Sequence, residues 1–600
     1  MTVHPFLADT CATVFRRQSL SHSMAALTLL TFMHGASAQT RLPGDPDPDA
    51  CKVGAAEFTG WFKEKPGEKD APVKPADSEN FQPDSLCTFY KWSEQMFLWL
   101  TSPLAPQRYP FNARDFFAVD APDSNGNRKL IPQDDPQQQT GFSASIALLP
   151  EQLPKVVVDN EGKSRRVVQL QPPANGASPF VDKANKPVDV RSVASSKGKP
   201  LLLDSANNVI DFKKTARGAP ALSGPSARSI QLADKTVLIG GVQRLMTVAG
   251  EVVDLTHPET GQAGGGDVLI TKDGAIVYYL IQANDVFAYF RTGTVNTAWP
   301  NPSEFPTRKS TVDTVQDFAS GSKTPAEFKR IFADRVALAL ELKSSWIDAD
   351  TLPVEKRKDY VTITGKIPQY DRTNGTQWKQ LPTPKDATLA LVGFHVVGTT
   401  LGHPEMIWAT FEHINNAPNA QYVYRTGATS TKTRPADGSG EWLFHNNNNS
   451  QSSGENVSNA GVLGTDIVAL SDQNIGPVNV RRMNPWGTPS TMTSAPANNA
   501  DLISINNSVR TQLNVDDVRK NYILIGATWT AGGVAPIPDS GHPNAPNNQV
   551  GTSLLANATM ETFQQTRNCF GCHKNDLLGS GTGGLSHIWG KMLPLFPKQP

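Results

Sequence analysis

The pentapeptide Cys569-Phe570-Gly571-Cys572-His573, near the end of a 600-residue sequence, constrains this chain more than any other feature. The pattern C-x-x-C-H is the attachment signature of c-type haem. Two thiols add to the vinyl groups of the haem, and the histidine that follows becomes the proximal ligand of the iron. The motif therefore predicts one covalent haem c, attached through Cys569 and Cys572 and ligated by His573.

Two other interpretations of these residues compete with haem. A thioredoxin-like dithiol would need a βαβ setting, whereas a glycine-rich stretch follows this motif. A zinc site could use the two cysteines and two histidines. The adjacent histidine, together with the export signal described below, favours haem over both.

The second axial ligand of the iron is less constrained. Only 27 residues follow His573, too few for the fold of a small cytochrome c, whose sixth ligand comes from well downstream of the motif. We therefore expect the rest of the chain to bury the haem, or to hold it in a crevice at its edge. The first candidate is His587, because the 13 residues that separate it from His573 span about 45 Å when extended and include the flexible Gly579–Gly584. Met592 is the second candidate, and a residue of the body or an open position are the others.

Residues 1–38 have the pattern of a cleaved secretory signal peptide. Arg16 and Arg17 precede the short apolar run Met24–Met33, and small residues end at Ala38. No later stretch is apolar enough to span a bilayer, so the mature chain is predicted to be periplasmic or secreted, without a membrane span.

The cysteines agree with an exported haem protein. Of the five, Cys11 leaves with the signal peptide, and haem takes Cys569 and Cys572. Cys51 and Cys87 remain, and an oxidising compartment favours a disulfide between them. Two separate buried thiols are the alternative.

Charge excludes one class of partner. Acidic and basic residues number 56 each, and no basic block or stripe occurs. Nucleic acid is therefore not an expected partner.

The chain divides by composition into four parts. The signal peptide is followed by a polar, exposed N-terminal arm over 39–84, a β-rich body with an N-terminal helix over 85–555, and a haem attachment tail over 556–600. The predicted fold class is β-rich α+β, with a large, mainly antiparallel body and a short C-terminal haem-binding tail.

Periodicity predicts individual elements within these parts. A helix is expected that Asp84 or Ser85 caps and that Ser102-Pro103 ends, and a short helix over 556–565 is expected to lead into the haem motif. Predicted strands are 268–279, as a hairpin turning at Asp273-Gly274, 336–342, 360–364, 388–397 paired with 406–413, and 521–530. The polar stretches 428–460 and 487–500 are expected to be surface loops.

A second set of chemistry-bearing residues lies between 395 and 413: His395, His403, Glu405, Glu412 and His413. Their spacing matches no metal motif, including H-E-x-x-H. A structural role, or a place in the lining of the haem pocket, is favoured over a metal site.

Several stretches of this sequence together resemble a group of large exported bacterial proteins labelled cytochrome c family protein. They are Trp92-Ser-Glu-Gln-Met-Phe-Leu-Trp99, Gln262-Ala-Gly-Gly-Gly-Asp-Val-Leu-Ile270, His403-Pro-Glu-Met-Ile-Trp-Ala-Thr-Phe-Glu-His413, Cys569 to His573, and Leu585-Ser-His-Ile-Trp589. The resemblance implies the same two haem-attaching cysteines and the same axial histidine, and it implies no substrate or reaction. The short tail departs from small class I cytochromes, so their methionine ligand is not carried over.

Three functions remain open from the sequence. The favoured one is a periplasmic monohaem electron carrier that exchanges electrons with a redox partner protein. The second is a haem enzyme of peroxidase or oxygenase type with an open distal face, which the large body favours. The third is a haem-based sensor of redox state or of a gas. Whether the chain is an enzyme, and its oligomeric state, are left undecided.

Overall fold

The computed structural model describes residues 42–133 except 124, residue 142, parts of 155–254, and most of 267–597. The gaps in this last range are 297–303, 447–454, 471–473, 537–545, 553, 555–556, 566–567 and 574–584. The predicted signal peptide and the Gly579–Gly584 stretch lie outside the described residues.

Six α-helices occur in the described part of the chain: α1 (Ala55–Trp61), α2 (Leu86–Leu100), α3 (Asp285–Val295), α4 (Lys309–Ser320), α5 (Ala495–Gln512) and α6 (Cys569–Cys572). The helix α2 has the bounds that the sequence predicts. Within these ranges, no helix combines the length and the apolar character that crossing a membrane requires.

The strands in chain order are β1 (Phe116–Val119), β2 (Leu130–Pro132), β3 (Lys155–Val158), β4 (Ser164–Gln169), β5 (Phe180–Val181), β6 (Pro187–Val188), β7 (Ser192–Ser196), β8 (Lys199–Leu203), β9 (Ala221–Leu222), β10 (Ile230–Gln231), β11 (Val237–Ile239), β12 (Val242–Met246), β13 (Val252–Asp254), β14 (Tyr278–Asn284), β15 (Leu340–Asp348), β16 (Thr362–Ile367), β17 (Tyr370–Asp371), β18 (Gln377–Gln380), β19 (Lys385–Thr400), β20 (His403–His413), β21 (Tyr422–Gly427), β22 (Ser430–Arg434), β23 (Ala460–Leu463), β24 (Asp466–Ala469), β25 (Tyr522–Thr530) and β26 (Gln549–Gly551).

One antiparallel sheet organises the molecule. Among the described residues it has nine strands, in the order β2-β1-β14-β15-β19-β20-β25-β26, with β16 paired to the first half of β19. The long pair β19–β20 is the pairing that the sequence predicts across the turn at Gly402. The remaining strands form small antiparallel sheets at the periphery. The predicted β-rich α+β fold with a large antiparallel body is confirmed.

One face of the main sheet is covered by α2 and α5. Phe97 of α2 stacks on Phe411 of β20 with ring centroids 4.3 Å apart, and Phe89 stacks on Trp529 of β25 at 3.8 Å. Each close aromatic pair adds about 0.5–1.5 kcal/mol to the effect of burial. This face is a packed apolar core.

The opposite face is covered by α3 and by the described parts of the tail, 557–565, 568–573 and 585–597. Side chains of β20 alternate between the two faces, as extended chain requires. Ile407 and Phe411 join the core under α2, whereas Trp408 joins the cluster formed with α3 and the tail. All 11 residues of β20 are buried because both faces are covered.

Residues 42–84 are not the exposed arm that the sequence predicts. Trp61 and Phe81 are buried in the same core as α2, and the Trp92 indole nitrogen donates a hydrogen bond to Ser78 Oγ at 2.9 Å. The apolar side chains of this segment are few and separated by polar residues, so its average composition hides them.

A disulfide joins Cys51 to Cys87, with Cα atoms 5.3 Å apart, as the sequence predicts. The backbone nitrogen of Cys51 also donates to Asp501 Oδ1 of α5 at 2.9 Å. The bridge therefore fastens the N-terminal segment to the helical layer.

Two element predictions are wrong in detail. The strand expected over 336–342 begins only at Leu340, because Leu338 has a positive φ of 59° that interrupts extended pairing. The helix expected over 556–565 is replaced, in the part described, by turns. Asn557 Oδ1 accepts hydrogen bonds from both the backbone nitrogen and the hydroxyl of Thr559, each at 2.8 Å, and such local bonds compete with a helix.

The hairpin expected over 268–279 is only partly formed. Its turn at Asp273-Gly274 is present, since the Gly274 nitrogen donates to the Thr271 carbonyl at 3.0 Å and Gly274 has a φ of 84°. The flanking residues form an isolated bridge between Ile270 and Ile276, and regular pairing starts at Tyr278.

Candidate functional site

The haem motif lies on α6, a single helical turn. The backbone nitrogen of His573 donates to the Cys569 carbonyl at 2.8 Å, which closes this turn. Positions four apart share one face of a helix, so Cys569 and His573 lie on the same side. Cys569 and His573 are both half-buried, and Phe570 between them is buried against the apolar cluster of the tail.

The imidazole of His573 lies between two aromatic neighbours. Its ring centroid is 4.2 Å from that of Trp408 and 3.8 Å from that of His587. Nδ1 donates to the Leu585 carbonyl at 2.8 Å, which fixes the ring and leaves Nε2 as the ligand atom. Burial, helped by His587, lowers the pKa of His573 well below its usual range. The ring is therefore neutral at pH 7, the form that binds a metal.

His587 is held in place by the residues around it. Trp589 packs on two phenylalanines of α3, Phe287 at 5.4 Å and Phe290 at 5.6 Å between ring centroids. The Arg291 guanidinium lies 5.1 Å from the centre of the same indole. This anchoring places the buried His587 ring nearly parallel to His573, with 14° between the ring planes.

Met592, the second ligand candidate, is held differently. Its carbonyl accepts a hydrogen bond from Arg291 Nε at 2.9 Å, and its backbone bridges to Arg128. Its side chain is buried in the cluster formed with α3. Of the two candidates, His587 is the one whose side chain contacts His573.

The sheet beneath the tail contributes polar side chains, of which the sequence analysis selected His395 but not Glu341 or Lys343. Glu341, Val397 and Trp408 are register partners on β15, β19 and β20, and Lys343 and His395 occupy the next row on the same face. The alternation of side chains along each strand predicts which residues share a face, but only the fold shows that the tail covers this face.

Glu341 contacts the tail directly. Ser586, next to His587, donates its hydroxyl to Glu341 Oε2 at 2.5 Å. Burial raises the pKa of Glu341 to about 7, while the Ser586 bond and the positive charge of Arg128 oppose the increase. The tail is thus attached to β15 by a carboxyl group that titrates near neutrality.

A glycine on β19 permits the tail to dock. A Cβ atom at Gly393 would lie 2.2 Å from Thr559 Oγ1 and 2.6 Å from Ser345 Oγ. Instead, these two hydroxyls hydrogen-bond at 2.7 Å, and the Tyr279 hydroxyl donates to the Thr559 carbonyl at 2.8 Å. The turn before the haem motif therefore sits directly on the sheet backbone.

The histidines and carboxylates between 395 and 413 do not converge. His403 and Glu405 pair with each other, with Nδ1 and Oε1 2.9 Å apart. Glu412 pairs with the buried Arg482 at 2.7 Å. His413 stacks on Tyr360 at 4.0 Å, far along β20.

Two members of this set reach the tail: His395 contacts Glu561, and Glu412 accepts a hydrogen bond from the Ala558 nitrogen. Across the described residues, no cluster of three or more His, Cys, Asp or Glu side chains is arranged to hold a metal ion. The structural role favoured from the sequence fits His403, Glu412 and His413.

The residues at this site fit a haem group in three respects. Two cysteines and a neutral histidine provide the attachment and ligand chemistry. The ring of His573 is oriented by a backbone carbonyl, as ligating histidines are. Apolar side chains surround the motif and cover a hydrophobic ring: Met560, Phe563, Phe570, Leu585 and Ile588 are all buried. Binding of one iron by both His573 and His587 would require the stacked rings to part, so that a nitrogen of each faces the metal.

Comparisons with known proteins add no relative. No family model matches this sequence, and neither the curated proteins nor the solved structures contain a match.

Proposed function

We propose that this chain is an exported c-type cytochrome of the group it resembles, which binds one haem covalently through Cys569 and Cys572 and carries single electrons. The observation that carries the proposal is the pairing of His573, in the attachment motif, with His587, ring against ring under an apolar cover. Haem, when bound, supplies a one-electron iron couple. The protein supplies attachment, axial ligands and exclusion of water.

The choice of electron transfer over catalysis rests on the second histidine. Iron with a histidine on both faces has no open position for oxygen or peroxide, so its chemistry is restricted to gain and loss of an electron. His587 is already adjacent to the proximal ligand, which supports this ligation. A redox partner protein and a periplasmic location, with residues 1–38 removed, complete the proposal.

Absorption and electron paramagnetic resonance spectra of the matured protein test the proposal. A low-spin, six-coordinate iron in both oxidation states is the expected result. High-spin ferric iron that binds cyanide or peroxide readily would contradict the carrier and support the haem enzyme. Reversible binding of a gas to the ferrous protein, without turnover, would support the sensor.

A further inference from the structure

His395 of β19 and Glu561 of the tail form a hydrogen-bonded pair at the edge of the site. Nε2 of His395 lies 2.9 Å from Glu561 Oε1, and Nδ1 lies 2.8 Å from the hydroxyl of Thr410. The other oxygen of Glu561 accepts the backbone nitrogen of Asn557 at 3.0 Å. Both ring nitrogens are therefore engaged, and the carboxylate is oriented by a second bond.

The pair lies close to the proximal ligand. His395 is two residues from Val397, whose register partner on β20 is Trp408, the side chain that contacts the His573 ring. Residues two apart on a strand share a face and are separated by about 7 Å. After burial and His587, the charge of His395 is among the smaller causes that lower the pKa of His573. Both side chains of the pair are partly exposed, at 17% for His395 and 13% for Glu561, so a proton can reach them from solvent.

We propose that His395, with Glu561 as its counter-ion, is a proton-binding site that takes up one proton when the haem iron is reduced. This inference rests on the proposed function. The electron comes from a one-electron protein donor and converts ferric to ferrous iron. The proton comes from water and forms one N–H bond on the imidazole, which becomes a cation. Oxidation reverses both changes.

The hydrogen bonds fit both protonation states of the imidazole. A neutral ring that donates from Nε2 to Glu561 accepts the Thr410 hydroxyl at Nδ1. A protonated ring donates from both nitrogens, and the Thr410 oxygen then accepts instead, since a hydroxyl serves in either role. A histidine with only a packing role would need a hydrogen-bond set that fits one protonation state, whereas this set fits both.

Electrostatics gives the direction of the coupling. Reduction removes a positive charge from the iron, so a nearby base binds its proton more tightly. The ionisable groups around His395 are Glu561 and His573 from the tail, and Lys343 and Glu341 from β15. Glu561 favours the cation and Lys343 opposes it. On β20 the neighbour is the uncharged Thr410.

The test is the pH dependence of the midpoint potential, measured by spectroelectrochemistry on haem-loaded full-length protein. One proton per electron changes the equilibrium tenfold per pH unit, which is about 59 mV for a one-electron couple. We expect the wild-type potential to fall with rising pH at a slope approaching this value between two flat regions. In His395→Gln, whose amide can still reach Glu561, the slope should decrease to the part contributed by Glu341, and in His395→Gln/Glu341→Gln it should disappear.

Two further variants separate the proton site from a docking contact. Glu561→Gln keeps a hydrogen bond but removes the negative charge that stabilises the cation, so the sloping region should move to lower pH. His445→Gln is the matched control, because that imidazole bonds the Val480 carbonyl, and its profile should match the wild type. A slope that is undiminished in His395→Gln would overturn the inference and leave the pair as a docking contact.

A measurement on unaltered protein gives an independent result. Reduction in weakly buffered solution with a pH-indicating dye should show uptake of a fraction of a proton per haem, largest in the middle of the sloping region. Normal haem with no uptake and a pH-independent potential would overturn this inference alone. Protein without covalent haem would overturn both this inference and the proposed function.

Discussion

The ring of His587 lies 3.8 Å from the ring of His573 and within 14° of parallel to it. In the sequence, His573 precedes and His587 follows the glycine-rich stretch Gly579–Gly584, and different contacts hold the two rings. The Leu585 carbonyl orients His573, whereas Trp589 anchors His587 to α3. This pairing distinguishes between the ligand candidates that the sequence leaves open.

Replacement of His587 should change the iron's coordination. In His587→Ala we expect ferric iron to become partly or fully high-spin, because the sixth ligand is lost, and to bind added imidazole. Met592→Leu, which removes the thioether at nearly constant volume, should keep the low-spin spectrum. Absorption and electron paramagnetic resonance spectra of both variants check this.

The opposite spectra in these two variants would change the assignment of the second iron ligand. A low-spin spectrum that persists in His587→Ala but is lost in Met592→Leu would identify methionine as the ligand. An unchanged spectrum in both variants would place the ligand in the body of the protein.

Docking of the tail should depend on the absence of a side chain at position 393. In Gly393→Ala the new methyl group would meet Thr559 and Ser345, and such overpacking costs about 1–3 kcal/mol of unfolding free energy. Adding Thr559→Ala should recover part of this loss, since contacting sites are non-additive. Denaturant titrations and limited proteolysis of the tail measure the effect.

Gly54→Ala is the matched control, because nothing lies within 4 Å of a Cβ atom there. Equal losses of stability in the two glycine variants would show that close docking on β19 is not the cause.

The sequence identifies the large regular features because their signals are local. The apolar spacing of α2 and the alternation in β19 and β20 predict these elements, and the cysteine count predicts the Cys51–Cys87 bridge. The helix α5 is missed because Asn and Ser are frequent along it and resemble loop composition. The buried Trp61 and Phe81 are missed because polar residues surround them in sequence.

The candidate site is predictable only where covalent chemistry imposes a motif. The spacing of the motif alone predicts Cys569, Cys572 and His573. The length of the link that follows the motif predicts His587, because that link can bring it to the haem. Glu561 and Trp408 cannot be selected that way, because their roles depend on which sheet face the tail covers. That choice is made by tertiary contacts between segments more than 100 residues apart, such as Asn557 with Thr410.

The disulfide should contribute measurably to stability. Cys51 and Cys87 are separated by 36 residues, and closing such a loop stabilises by about 3–4 kcal/mol in the chain-entropy model. The double variant Cys51→Ser/Cys87→Ser should lose about this amount in urea titrations. Reduction of the wild type should give a similar loss, and a loss below about 1 kcal/mol would show that packing alone holds the N-terminal segment.

Stability should fall in mild acid because of His413. Burial lowers the pKa of this imidazole from 6.5 to about 3, so the unfolded state binds a proton that the folded state excludes between these values. The free energy of unfolding contributed by this group is therefore full above about pH 6.5 and decreases as the pH falls towards 3, by about 1.4 kcal/mol per unit.

The variant His413→Gln isolates this contribution. Gln can still donate to the Asp359 carbonyl that His413 Nε2 contacts, but it does not titrate. Between pH 6.5 and 4, the free energy of unfolding of this variant should depend less steeply on pH than that of the wild type. The difference between the two slopes should correspond to at most one bound proton. Parallel profiles would show that His413 is not the group responsible.

The central claim is that Cys569 and Cys572 carry a covalent haem, and intact-protein mass spectrometry tests it most directly. The protein is produced with residues 1–38 included in a host that attaches c-type haem, then purified and denatured with acid. The account predicts a mass higher by one haem, which localises to the peptide containing residues 569–573 and is lost in Cys569→Ala/Cys572→Ala. A denatured wild-type chain of unmodified mass, produced where a control c-type cytochrome matures normally, would contradict it.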